Sequence, residues 1–585
     1  MNIIPITVFV FCSISLFAQE NGRTINNPFY PFSFPGSYMC ITRYDGREKP
    51  LKPAEIHHVG GKGVIDLFRI EPIKNGKLLT DVTYFMYPEK YVIKSGNDSI
   101  EICFQSSKII RFKAHNIGIR LTMKHTGQFM PIDQSQGRIL IYDISKYYKF
   151  ILTNLHGELK PGKEKPDERM MMYNGLSWDI PEAKISEFVL EEYLSEWEPK
   201  KYDTDFDDCV SEARKSFDAM YLKMPEVPLE FKHSAFEALY LNWSIMVEKR
   251  NFITRDAIFM SKTWMLHIWS WDHCFNAIAM SYFDTKSAWD NMMVVFDNQD
   301  EIGCLPDAID DMRADWLAPK VPIHGWTLKQ MMKIGAGLSH DRLSEIYEPL
   351  CRWTNYYLNY RDDDNNGIPQ QNHGNEAADN ATVYDKGVPV EAPDLCAHLI
   401  FQMDVLAEIA GKLGKRSDSI VWKYKADNLQ ELMIKQLWNG ENFVYRISGT
   451  EIISSMPNCF LSYMPLIISY RLPKEINDRL ILGLEKNMIT KWGIASESPN
   501  SQYYEPNGYW RGPIWAPVQE LIITGLDNAG RKDIAKKLAY SFCRMVNENG
   551  FAENFDAVTG KPLCDPSYTW TSSVFLNLLF EYIVR

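Results

Sequence analysis

The sequence lacks any basic excess: 63 Lys and Arg stand against 75 Asp and Glu, a formal net charge of −12. That balance excludes the broad cationic surface needed to bind nucleic acid or an anionic membrane. Its 11 cysteines include no CxxC pair and no Cys/His spacing suited to zinc. Most, such as Cys396 and Cys543, fall within apolar helical patterns and read as buried thiols. Low-complexity tracts are absent, and beyond residue 18 no apolar run is long enough to span a bilayer. What is abundant is aromatic surface, 13% of 585 residues with 16 Trp, more than packing alone requires. Such a surplus suits stacking against a flat, weakly charged ligand.

A chain of this length exceeds one hydrophobic core, so at least two domains are expected. The run Ile3 to Phe17 followed by Ala18 and the polar QENGRTINN reads as a leader, residues 1–18, and predicts export to the periplasm or beyond. A β-domain is expected over 19–200. Ile100, Ile102 and Phe104 alternate with Glu101 and Cys103, and Ile117, Ile119, Leu121 and Met123 alternate with polar residues or Gly. Similar runs at RILIYDI and KFILTNL predict an antiparallel β-sandwich. The polar stretch SEWEPKKYDTD marks a boundary, and over 205–585 the period becomes helical. Leu399, Ile400, Met403, Leu406, Ala407, Ala410 and Leu413 share one face, with Gly411 and Gly414 at its end. Comparable faces near 230–246, 270–297, 325–360, 416–437, 513–526, 530–548 and 570–583 predict a closed double ring of helices. The fold class is therefore multidomain α+β.

Two loops offer carboxyls among aromatic and amide residues rather than on solvated helix faces. HGNEAADNATVYD, 373–385, carries Asp379 between small residues and Asn380, with Glu376 and Asp385 as rivals. Burial there would raise a carboxyl pKa. FAENFDAVTGKPLCDPSYTWTSS, 551–573, carries Glu553, with Asp556 and Asp565 as rivals and Trp570 opening the last helix. Taken singly, each reads as an ordinary Asx-rich or turn loop. A third segment, GYWRGPIWAPVQELIITGL, places Tyr509, Trp510, Arg511 and Trp515 around a Gly-Pro turn, with Pro513 expected in a first helical turn. Aromatic faces beside an Arg fork suit a sugar ring and its hydroxyls as well as they suit a packed corner.

Together with IWSWDHCFNAIAM (268–280) and KVPIHGWTL (320–328), these ordered segments resemble glycoside hydrolase family 63, the group that includes processing α-glucosidase I and mannosylglycerate hydrolases and is related to the trehalases. The resemblance implies an (α/α)6 barrel behind the sandwich and an inverting exo-acting α-glycoside hydrolase that removes a terminal hexosyl, glucosyl ahead of mannosyl. It implies Asp379 as general acid and Glu553 as general base. Trp269, Asp272, Trp326, Tyr509, Trp510, Arg511 and Trp515 would hold the sugar. Inversion requires carboxyls about 6.5–9.5 Å apart with a water between base and sugar. The acid loop departs from the family's usual HGNDSGWDN: it lacks that Gly and Trp.

No cofactor is needed for this chemistry, and an oligosaccharide or small glycoside is the expected partner. Asp362, Asp364 and Asn366 have the spacing of half a calcium loop, but His373 occupies the twelfth position, so an EF-hand is excluded. A structural calcium and an Asx turn remain the two readings of that loop. The competing functions are a trehalase, rhamnosidase or phosphorylase of the same fold, and a carbohydrate-binding protein without catalysis.

Overall fold

The computed structural model describes residues 23–44, 51–124, 129–134, 137–143, 148–161 and 176–585. The expected leader, 1–18, lies outside them. The chain forms two compact units. One takes the residues up to Leu222 with Leu239–Val247 and Lys262–Trp264, and the other takes Lys223–Ala238, Glu248–Ser261 and Met265–Arg585.

The first unit holds two antiparallel sheets. One runs in the order Met39–Thr42, Glu55–His58, Ile65–Lys74, Gly118–Met123, Ser177–Ile180 and Lys160–Pro161, with Lys77–Leu78 paired to the third strand. The other has eight strands, with Ile185–Tyr193 central between Tyr148–His156 and Ile109–His115. Alternation places Ile100, Ile102 and Phe104 in the core as their spacing requires. Cys103, on the opposite phase, is buried too, because Phe206 and Cys209 pack over it. Those two residues belong to the helix Phe206–Tyr221. The unit therefore extends past the boundary expected at 200–205, to the end of this helix.

In the second unit six largely buried segments touch in sequence and close on themselves. They are Asp272–Met280, His324–Ile334, Pro393–Lys412, the 3-10 segment Phe460–Ile468, Ala516–Asn528 and Thr569–Leu578. Segments apolar on every side must be buried all round, which a ring interior provides. Between them come Thr285–Met293, His340–Tyr360, Arg416–Leu437, Lys474–Asn487 and Lys532–Asn549, which pack against the inner segments. The segments Phe460–Ile468 and Lys474–Asn487 escape a helical reading of the sequence. The first winds with three residues per turn around Pro465, so its apolar residues lack a 3.6 period. The 516–528 helix starts at Ala516 with Pro517 in its first turn, whereas Pro513 precedes the short strand Ile514–Trp515.

Short antiparallel ladders lead into three of the inner helices. Ile268–Trp269, Val390–Glu391 and Ile514–Trp515 each stand just before one. The loops between them gather at the N-terminal ends of the inner segments, where the helix dipoles point their positive ends. Among the described residues no helix is long and apolar enough to cross a membrane.

Candidate active site

Two hairpin-like elements position the base loop. Trp515 pairs with Asn554, and Asn554 pairs with Leu563, so Glu553 is held beside the strand that precedes the 516–528 helix. The Glu553 N–H donates to the Asp565 carbonyl at 2.7 Å, and its own carbonyl accepts from Trp570 Nε1 at 3.0 Å. With its backbone fixed at both ends, the Glu553 side chain is only 4% exposed. Oε1 accepts from the Tyr509 hydroxyl at 3.4 Å and Oε2 from the Asp565 N–H at 3.4 Å. Burial, reinforced by the nearby Asp565 charge, pushes this carboxyl up to about 8.

The acid loop is packed backbone to backbone. A Cβ added to Gly374 would lie 2.0 Å from the Asp379 carbonyl oxygen, so only glycine allows the loop to fold back on itself here. Asp379 is half-buried, and its Oδ2 accepts from Trp510 Nε1 at 3.0 Å. Asn380 ties this loop to the Tyr-Trp-Arg turn. Its Nδ2 donates to the Gly508 carbonyl at 3.0 Å, its Oδ1 accepts from the Trp510 N–H at 3.0 Å, and its carbonyl accepts from Arg511 Nε at 2.7 Å. The turn so held contains Tyr509 at φ +62°, a left-handed conformation that costs a non-glycine residue on the order of 1 kcal/mol or more. That strain is tolerated because Asn380 and the Trp515 Nε1 bond to the Tyr509 carbonyl (3.0 Å) over-determine the turn.

Both carboxyls line one cavity of about 210 Å³, together with Trp269, Asp272, Tyr509 and Trp510. Asp272 opens the 272–280 helix and accepts from the Tyr568 hydroxyl at 3.1 Å. Burial raises it to about 7 even though Lys320 and the helix terminus favour its charged form. Trp269 and Tyr509 keep partly open surface toward the hollow. Trp510 presents an edge instead: its ring stacks on Trp515 at 4.0 Å and 6°, and on Phe460 at 5.6 Å.

Three expected sugar contacts do not line this cavity. Trp326 is buried in the 324–334 helix against Phe275 and is 1% exposed, a core residue of the ring. Trp515 lies behind Trp510 and supports it. Arg511 is ion-paired with Asp385, which also removes that rival carboxyl. Glu376 is likewise neutralised by Arg361, Asp556 caps its own turn through Val558 and Thr559, and Asp565 stands behind Glu553. Cavity residues that the sequence reading did not single out include the polar Asp307, Lys320, Asn375 and Tyr568. Lys320 opens the KVPIHGW segment, but a lone Lys before a Pro carries no sign of burial.

In the 362–366 loop Asp362 is half-buried and turned back onto the backbone, whereas Asp364 is exposed. Asp362 accepts from the Asn366 and Gly367 N–H groups at 3.0 and 2.9 Å, and Asp364 from the Gly449 N–H at 3.1 Å. The Asp362 bonds are those of an Asx-type turn, while the Asp364 bond reaches a distant loop. A larger hollow of about 910 Å³ opens where the inner helices end, lined by Lys329, Phe401, Asp404, Glu408, Tyr470 and Arg471. It holds none of the expected residues. Its cations are paired, Lys329 with Glu408 at 2.7 Å and Arg471 with Asp404 at 2.5 Å.

Residues 265–571, which carry every residue of the 210 Å³ cavity, match the mannosylglycerate hydrolase MGH1-like glycoside hydrolase domain. The chain belongs to this family. Among the similar proteins, a mannosylglycerate hydrolase of Rubrobacter radiotolerans is 26% identical over 183 residues, 30% of this chain and 40% of that protein. A glucosylglycerate hydrolase of Mycolicibacterium hassiacum is 33% identical over 90 residues, 15% of this chain and 20% of that one. The match thus spans less than half the length of either relative. Two solved structures share the fold. The GH63 mannosylglycerate hydrolase from Thermus thermophilus in complex with glucose has a TM-score of 0.51 at 17% identity, over 60% of this chain and 99% of that one. A bacterial glucoamylase complexed with acarbose has a TM-score of 0.60 at 13% identity, over 95% of each chain.

Proposed function

We propose that this glycoside hydrolase is inverting and exo-acting and removes a terminal α-linked hexosyl, glucosyl ahead of mannosyl, from an oligosaccharide or small glycoside. The double ring is read as an (α/α)6 barrel and the two sheets as a sandwich. One observation carries the reading: Asp379 and Glu553, 174 residues apart in sequence (553 − 379), line the same small aromatic-walled cavity. At about 210 Å³ it is smaller than the roughly 300–1,000 Å³ of drug-sized ligand sites. That volume suits one sugar ring, hence cleavage at a chain end.

Asp379 protonates the leaving oxygen, with Trp510 Nε1 holding its other oxygen and fixing which one faces the sugar. Glu553, oriented by Tyr509 and the Asp565 N–H, takes a proton from the attacking water. Retaining chemistry would instead need one carboxylate within covalent reach of the anomeric carbon. Proton NMR of the first anomer released decides between the two. Release of the β-anomer from an α-glycoside supports inversion, and release of the α-anomer rejects it. Binding without any product from a panel of α-linked disaccharides and glycosides would favour a carbohydrate-binding protein.

A further inference from the structure

The charges around the cavity bear on what leaves when the bond breaks. Four carboxyls line it, Asp272, Asp307, Asp379 and Glu553, and among the described residues Lys320 is the only cation in its wall. Lys320 is already engaged: its ammonium is 3.1 Å from Asp307 and donates to the Asn375 carbonyl. Nearby cations are likewise balanced. Arg511 is paired with Asp385, Arg361 with Glu376, and His267 sits 3.1 Å from Asp310. Arg313, mostly exposed, stands 3.6 Å from the same Asp310. An anionic leaving group entering here would find, among the described residues of the wall, no unpaired cation to hold its carboxylate. A carboxylate taken out of water without a cation partner is bound unfavourably.

A second observation concerns the loop between Asp310 and Lys320. It is fastened to the cavity wall at both ends. The Asp307 N–H donates to the Asp315 carbonyl at 2.6 Å, and the Tyr357 hydroxyl donates to the Lys320 carbonyl at 2.8 Å. The Val321 N–H donates to the Glu376 carbonyl at 3.0 Å, joining the loop's end to the acid loop. One peptide beyond Asp315 stands Trp316, 40% exposed, followed by Leu317, 83% exposed. The Leu317 N–H is turned back onto Asp315 Oδ1 at 2.9 Å, which holds this apolar pair at the loop's bend. A Trp left open to water on a pinned loop beside a sugar-sized hollow offers a platform for a ring.

We infer that the leaving group is an uncharged sugar ring that rests on Trp316, not an anionic glycerate. This inference depends on the hydrolase reading above and narrows it. It separates this chain's substrate class from the glycerate glycosides for which its relatives are named.

The test compares kcat/KM for a panel of neutral α-glucosyl disaccharides, for glucosylglycerate and mannosylglycerate, and for α-glucosyl fluoride. Wild type and Trp316→Ala are assayed side by side. The expected result is at least one neutral disaccharide preferred over both glycerate glycosides. Trp316→Ala should lower kcat/KM for that disaccharide about 10- to 30-fold more than for the fluoride, which has no ring to stack. Preference for a glycerate glycoside overturns the inference, as does an equal effect of Trp316→Ala on both substrates. If none of these substrates, the fluoride included, is turned over, the hydrolase reading is what fails. Calorimetric titration of wild type with the same disaccharides and glycerate glycosides then decides the inference. Tighter binding of the glycerate compounds, or binding of neither, rejects it.

Discussion

The two loops that carry the carboxyls differ in how they meet water. Glu553 is almost wholly enclosed between Tyr509, Trp570 and the Asp565 backbone, and burial raises its pKa to about 8. Asp379 keeps part of its surface open and is held by a single indole N–H among the described contacts. A sequence reading assigns the burial-raised carboxyl to the acid loop, because small neutral neighbours flank Asp379. The folded chain places the stronger desolvation on the other loop. Residues flanking in sequence do not determine the dielectric; the rings brought in from distant segments do. A base whose conjugate acid is raised to about 8 is a stronger proton acceptor than an ordinary Glu, and becomes mostly ionised only on the alkaline side of neutral pH.

The sharpest break in this comparison is to neutralise each carboxyl in turn. Glu553→Gln and Asp379→Asn should each lower kcat by about 10²- to 10⁴-fold, the usual contribution of a general acid or base. Because burial already favours the uncharged form of Glu553, the Gln variant should melt no lower than wild type. Steady-state assays with a thermal scan check both points, and retention of most activity by either variant refutes its role.

Gly374→Ala attacks the acid loop alone. The new Cβ would fall 2.0 Å from the Asp379 carbonyl oxygen, inside any tolerable contact, so the loop must shift. A displacement near 1 Å at a reacting group can cost about 100-fold in rate. The expectation is a loss of that order in kcat with circular dichroism unchanged; wild-type rates would show that the loop absorbs the methyl without moving Asp379.

How far the sequence could be read follows from the same contrast. The strand phase at Ile100 to Phe104 was legible because burial of one face imposes a period, and the helix at Pro393–Lys412 because its apolar residues recur at helical spacing although nearly all of it is buried. Asp379, Glu553, Tyr509 and Trp510 were legible as ordered motifs, and the cavity collects them. Trp326 and Trp515, expected among the sugar contacts, are not in the cavity wall, since a Trp in a motif looks the same whether it faces a hollow or supports the ring that does. Lys320 and Asp307 left no local signal. Their proximity at 3.1 Å is created by a ladder pairing Ala308 with Asp315, which no spacing in the chain announces. Phe460–Ile468 was hidden by its three-residue period.

A smaller effect is expected where the two loops are joined. Asn380→Ala removes two side-chain hydrogen bonds that hold Gly508 and Trp510, each with a net value of about 0.5–1.5 kcal/mol. The residue is exposed, so the melting temperature should change little. Release of the strained Tyr509 turn should instead lower kcat by about tenfold, with KM less affected. Asn380→Asp, which keeps the acceptor toward the Trp510 N–H, should recover part of the loss. Equal damage from both substitutions would locate the role of Asn380 in its bond to Gly508.

The smallest effect concerns pH, and its sign tests which loop supplies the base. If Glu553 must be ionised, kcat/KM falls as pH drops below about 8, the value to which burial raises it. If Glu553 were the acid, activity would instead be lost as pH rises through that value. The Tyr509 hydroxyl donates to Glu553 Oε1 and stabilises its charged form, opposing the effect of burial. Tyr509→Phe takes that donor away while leaving a ring of the same shape in the wall. The folded-state pKa of Glu553 must then rise, and the acid limb of the kcat/KM profile should move to higher pH. At 3.4 Å the bond is long, so the displacement should be slight. A limb that stays fixed in Tyr509→Phe but disappears in Glu553→Gln would leave Glu553 as the titrating base, with Tyr509 as wall only. A limb that moves to lower pH would contradict the direction of that hydrogen bond.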